Sequence, residues 1–93
     1  MAKVLVKARV AYPDELLNTL HAQATLRKSR GERAAWFCAL ADDLNVACSI
    51  FDWESVESAN HFWFSPEAKA QMGEWHPVGT PEVLVLQDEN ELK

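Results

Sequence analysis

The chain has 93 residues, 48% hydrophobic and 25% charged, with a formal net charge of −5. That length holds one domain with a thin core, because a chain of this size buries only about two-thirds of its unfolded surface. No stretch approaches the roughly 20 apolar residues of a membrane span. Lys3, Lys7 and Arg9 break up the amino-terminal apolar run and argue against a leader, and Cys38 and Cys48 are too few for a secreted disulfide framework. The expectation is a cytoplasmic protein with reduced thiols, a single domain over residues 1–93 whose end at 88–93 frays.

"KVLVKARV" (3–10) alternates, with Val4, Val6, Ala8 and Val10 on one side and Leu5, Lys7 and Arg9 on the other, so it reads as a strand. Pro13 suits the first position of a helix and Asp14 and Glu15 its first turn. Leu16, Leu17, Leu20 and Ala24 then keep helical spacing, and Gly31 ends the run, which predicts one helix from Pro13 to about Arg30.

The charge is lopsided. Residues 1–33 hold seven basic and three acidic groups, a balance of +4; the remainder holds two basic and eleven acidic, −9. "RKSRGER" (27–33) invites a phosphate-binding reading. The simpler reading places Arg27, Lys28 and Arg30 in a last helical turn, where cations complement the dipole. A net-acidic chain also repels phosphate backbones at long range, so no nucleic-acid partner is expected.

"RAAWFCAL" (33–40) and "VACSIFDW" (46–53) are rich in strand formers, and "ADDLN" between them supplies turn residues. They read as a hairpin centred near Asp43, with Cys38 opposite Cys48. "ESVESANHFW" (54–63) returns to helical spacing through Val56, Ala59, Phe62 and Trp63. Ser65 and Pro66 restart a short second segment as cap and first-turn proline. "GEWHPVGTP" (73–81) is a loop, and "EVLVL" (82–86) is the last strand.

The order β-α-β-β-α-β is the ferredoxin-like α+β arrangement, a four-stranded antiparallel sheet with two helices on one face. Trp36 and Phe37 point to opposite sides of one strand, as do Ile50 and Phe51 of the next, so both faces are apolar and both need cover. A second copy of the sheet supplies that cover most simply, which predicts a homodimer.

The stretch "FDWESVESANHFWFSPEAKAQM" followed by "VGTPEVLVL" resembles the dimeric α+β barrel superfamily, and within it the antibiotic-biosynthesis-monooxygenase-like small domains. The matching features are an aromatic-x-Trp strand end, an acidic helix start, Ala-x-x-Phe, Ser-Pro-Glu-x-Lys-x-x-Met and Gly-x-Pro-Glu-Val; "HAQATLRKSRG" and "DDLN" extend the likeness over nearly the whole chain. The resemblance implies a barrel formed by two chains. Its functional implication is broad, because the superfamily includes cofactor-free quinol oxygenases, haem-degrading enzymes, isomerases and members without an assigned activity. Where the haem-degrading members resemble one another, in a Trp before the Ser break and a His after it, this chain has Phe62 and Met72. No cofactor is therefore expected.

Among candidate residues, His21 shares a helix face with Leu17 and Ala24; a histidine there is suited to take a proton from a phenol or enol, or else is a core-edge residue bonded to backbone or solvent. Trp36, Phe62 and Trp63 are candidates to hold an aromatic or polycyclic ligand, and His76, between Trp75 and Pro77, is a candidate lid residue. His61 falls off the apolar stripe. Lys7 and Arg9 lie on a sheet face that should be covered, so they need acidic partners, for which Asp52 and Glu82 are candidates, or an anionic ligand held by Arg9. The three histidines lack metal-ligand spacing, so no metal site is expected. Two functions stay open: a cofactor-free monooxygenase-like or isomerase-like enzyme acting on an apolar small molecule, and a non-enzymatic dimeric ligand-binding or accessory protein.

Overall fold

The computed structural model describes residues 2–87 and Leu92. The expectation of a frayed end at 88–93 otherwise lies outside the described residues. The elements run β1 (Ala2–Arg9), α1 (Pro13–Ala22), α2 (Ala24–Arg30), β2 (Glu32–Leu40), β3 (Asp43–Trp53), α3 (Val56–Trp63), α4 (Pro66–Gly73) and β4 (Glu82–Gln87). The four strands form one antiparallel sheet in the order β2-β3-β1-β4, the ferredoxin-like α+β fold expected from the element order.

The register lines side chains up in rows across the sheet. On the helix-covered face run Ala35, Phe51, Val4 and Val85, then Phe37, Ser49, Val6 and Val83. On the other face run Ala34, Asp52, Lys3 and Leu86; then Trp36, Ile50, Leu5 and Leu84; then Cys38, Cys48, Lys7 and Glu82. The middle row of that outer face is apolar from edge to edge. Trp36 and Phe37 do point to opposite faces, and Cys38 does stand opposite Cys48.

Four helices cover the inner face where the sequence predicts two with a short restart. The expected single helix over 13–30 breaks at Gln23, which caps the end of α1 and the start of α2. Its side chain is drawn away to α4. There Nε2 donates to the Gln71 carbonyl (2.9 Å) and to Glu74 Oε1 (2.8 Å), while Oε1 accepts from Trp75 Nε1 (2.9 Å). The restart at Ser65 is formed as expected, its hydroxyl oxygen accepting from the Ala68 amide and donating to the Phe62 carbonyl.

The core is an aromatic cluster between sheet and helices. Trp53 stacks on Phe62 with ring centroids 5.3 Å apart, and Trp63 meets Phe51, Trp53 and Phe62 at 4.9, 5.8 and 5.3 Å. All four rings are buried. His61 and Phe64, on either side of Phe62 and Trp63, are exposed, as a helical turn of about 100° per residue requires.

Candidate functional site

The basic stretch at the end of α2 does not face solvent throughout. Arg27 is 4% exposed. Within α2 it is the buried residue, turned inward three residues after Ala24. A buried guanidinium requires compensation, which Glu32 at the start of β2 supplies: Arg27 Nε donates to Glu32 Oε1 at 2.6 Å, with the two side chains 5% and 2% exposed. Arg27 Nη1 donates to the Leu20 carbonyl at 3.0 Å, and the guanidinium carbon stands 5.1 Å from the centroid of the Phe51 ring. Arg27, Lys28 and Arg30 do stand in the last turn of α2 as expected, with Arg27 turned inward, Lys28 exposed and Arg30 paired with Glu67.

Beside this pair lies a hollow of about 110 Å³ at the edge strand β2. Leu17, Leu20, His21 and Arg27 contribute from the helices, Ala35, Trp36 and Phe37 from β2, and Phe51 from β3. It is thus an apolar, aromatic-walled recess with an exposed imidazole and a buried cation at its boundary.

The residues named from the sequence are dispersed. His21 lines this hollow; Trp36 borders it from β2, but the register puts its side chain on the outer face. Phe62 and Trp63 lie in the aromatic core, 1% and 2% exposed, on the opposite side of the sheet from the Trp36 row. His76 lines a broad cleft of about 880 Å³ between α1, α2 and α4, along with Thr19, Gln23 and Glu74. Its φ of +51° is a left-handed conformation uncommon outside glycine. Arg9 lines a third recess, about 470 Å³, at one end of the outer face with Lys7, Asp43 and Glu82.

The partners expected for Lys7 and Arg9 also change. Asp52 binds Lys3 (2.8 Å), and Arg9 binds Asp43 (2.9 Å). The register explains the exchange, since Asp52 is directly opposite Lys3 whereas Arg9 stands opposite Val46, near the hairpin turn. The Arg9 hydrogen bond, reinforced by the Asn45 amide, holds the Asp43 carboxyl below its ordinary value. Lys7 stands opposite Glu82 in the register, without an ion pair among the described residues.

Arg27, Glu32, Gln23 and Ser49 are buried polar residues that reading the sequence missed. A signal was present for the first, an arginine at helical spacing from Ala24, with an acid five residues later. Among the described residues, no group of three or more His, Cys, Asp or Glu is gathered as metal donors, and no helix is long and apolar enough to cross a membrane.

No family model matches the chain and no curated protein does. Solved structures match over its length. SnoaB, a cofactor-independent oxygenase from Streptomyces nogalater, superposes with a TM-score of 0.76 at 14% identity, over 98% of this chain and 95% of that one. An antibiotic biosynthesis monooxygenase gives 0.71 at 12% identity, over 97% and 100%. Rv0793 from Mycobacterium tuberculosis gives 0.67 at 17% identity, over the whole of both chains. The fold of this chain is therefore that of the antibiotic-biosynthesis-monooxygenase-like domains, as the sequence resemblance implies. Identities this low speak to fold alone.

Proposed function

We propose that the chain is a homodimeric small-molecule domain that takes an aromatic ring into the hollow beside His21 and acts on it as a cofactor-free, monooxygenase-like enzyme. The observation that carries this reading is the meeting of an exposed imidazole, the buried Arg27 and the aromatic walls Phe37 and Phe51 at one recess. His21 accepts the hydroxyl proton of a phenol or enol; the electron-rich anion left behind is itself able to reduce oxygen, so the protein supplies a base and a dry wall. The fold shared with SnoaB supports the class.

Size narrows the substrate. About 110 Å³ is close to the roughly 150 Å³ apolar cavity that holds one benzene ring, and well below the roughly 300–1,000 Å³ of drug-sized pockets. One ring enters; a polycycle would leave most of itself outside.

A second reading, a dimeric binding or accessory protein without turnover, is favoured by one specific fact. The space between sheet and helices, where a larger substrate would lie, is filled by Phe51, Trp53, Phe62 and Trp63. Oxygen uptake with single-ring hydroquinones separates the two. Turnover that His21→Ala abolishes supports the enzyme; ring binding without oxygen consumption supports the accessory protein.

A further inference from the structure

We propose that Arg27 is the anion-recognition group of the hollow, so that its ligand is a single aromatic ring bearing an oxyanion, either a carboxylate or a phenolate. The proposal deepens the functional reading above and rests on the hollow being the binding site.

Three observations meet at Arg27. Its side chain is nineteen-twentieths buried, 5% exposed. Its Nε and Nη1 are taken by Glu32 Oε1 and the Leu20 carbonyl, whereas Nη2 has no protein acceptor among the described residues. The side chain borders the hollow, whose other lining residues are Leu17, Leu20, His21, Ala35, Trp36, Phe37 and Phe51; of their side chains only the His21 imidazole offers an acceptor. Nη2 is not among the fully buried polar atoms that lack a partner, so it keeps access to solvent, and beside a recess such a donor is open to a ligand's acceptor.

The held geometry fits recognition better than packing. Glu32, Leu20 and the Phe51 ring fix the guanidinium plane, so a ligand oxygen meets a donor whose ordering cost is already met. Glu32 balances the resident charge of Arg27, so a carboxylate meets a single charge-assisted donor there, whereas a phenol that arrives neutral also makes His21 at the same hollow a cation as it gives up its proton. Proton transfer from a phenol to His21 would then create an imidazolium and a phenolate, with the phenolate oxygen facing Arg27. No bond other than O–H is broken in this step.

The test compares benzoate with benzyl alcohol, rings of similar size with and without the charge, by amide NMR titration of the full chain. The expected result is shifts at Leu17, His21, Ala35 and Phe37 with both, benzoate binding roughly tenfold more tightly, as one charge-assisted hydrogen bond implies. Benzoate, and not benzyl alcohol, should also shift the Arg27 guanidinium ¹⁵N resonances, a reading that requires no variant. In the charge-free double variant Arg27→Met, Glu32→Leu, benzyl alcohol binding should persist and the benzoate preference should vanish. Equal affinity of the wild type for both rings, or a preference that survives in the double variant, overturns the anchor while leaving the hollow as a ring site. Absence of shifts at these residues with either ring overturns the hollow itself and the anchor with it.

Discussion

Gly31 lies so close to the indole edge of Trp53 that a β-carbon added to it would stand 2.6 Å from Trp53 Nε1. Its φ of +131° is also one that side chains other than glycine's rarely adopt. The same glycine passes the chain from α2 into β2, its carbonyl accepting from the Glu54 amide at 3.0 Å. Gly31→Ala should therefore cost about 2–4 kcal/mol, the backbone penalty and the overpacking combined. Urea denaturation measures it; a loss below about 0.5 kcal/mol, the size of an ordinary surface change, would mean that neither constraint operates.

Gln23 ties the break between α1 and α2 to α4 by three side-chain hydrogen bonds. Gln23→Ala leaves the indole N–H of buried Trp75 and the Gln71 carbonyl without these partners, and should cost about 2–4 kcal/mol. Gln71→Ala offers the control. Only the backbone carbonyl of Gln71 takes part in this network, so its truncation should stay within about 1 kcal/mol. Equal losses in the two variants would remove Gln23 from its role as the tie.

These two residues also mark where the sequence was legible and where it was not. Period-two alternation in "KVLVKARV" and a stop at Gly31 follow from local geometry, and the structure keeps both. The Ser65-Pro66 restart is likewise a local cap and appears as read. The break at Gln23 depends on Gln71, Glu74 and Trp75, some fifty residues away, and no local propensity encodes it. The candidate site shows the same division. The inward turn of Phe62 and Trp63 was readable from helical spacing. Whether they line a space or fill one depends on Phe51 and Trp53 arriving from β3, a question of tertiary volume.

The cross-strand register has a chemical check. Cys38 and Cys48 stand directly opposite each other, which in an antiparallel pair places their Cα atoms roughly 4.5–5.5 Å apart, inside the range a disulfide spans. Both thiols are free, Cys38 exposed and Cys48 half-buried. Treatment of the reduced protein with an excess of a small-molecule disulfide should join them within one chain, read by intact mass as loss of two alkylatable thiols without added mass. A register slipped by one residue would put the two on opposite faces, and only mixed disulfides would form.

The pair between Arg9 and Asp43 makes a prediction in pH. Asp43 is held below its ordinary value chiefly by the hydrogen bond from Arg9 and then by that from the Asn45 amide. A carboxyl depressed in the folded state contributes stability at pH above its unfolded value, and loses it as pH falls through the folded one. The pair is solvent-facing, so its effect on melting is small, and direct titration is the better measurement. Carboxyl ¹³C shifts should place Asp43 below the ordinary aspartate value, and Arg9→Gln should move it upward. An unchanged midpoint in that variant would assign the depression to the Asn45 amide instead.

The outer face of the sheet carries the prediction of assembly. Its middle row, Trp36, Ile50, Leu5 and Leu84, is apolar across all four strands, and Trp36 and Leu84 are 49% and 42% exposed, with Leu86 in the next row at 49%. Packing a second copy against this face would bury the row in both chains and leave Lys3–Asp52 to one side of it. Leu84→Glu places a carboxylate in the row of each chain, and a charge confined among apolar groups costs several kcal/mol unless it is paired. The dissociation constant should therefore rise by roughly two orders of magnitude or more, read by sedimentation equilibrium. Phe64→Glu, an exposed aromatic at the end of α3 on the other side of the molecule, should leave association unchanged. A wild-type chain that sediments as a monomer at micromolar concentration would remove the second copy as the cover of this face, and a dimer sensitive to Phe64→Glu but not to Leu84→Glu would move the interface to the helices.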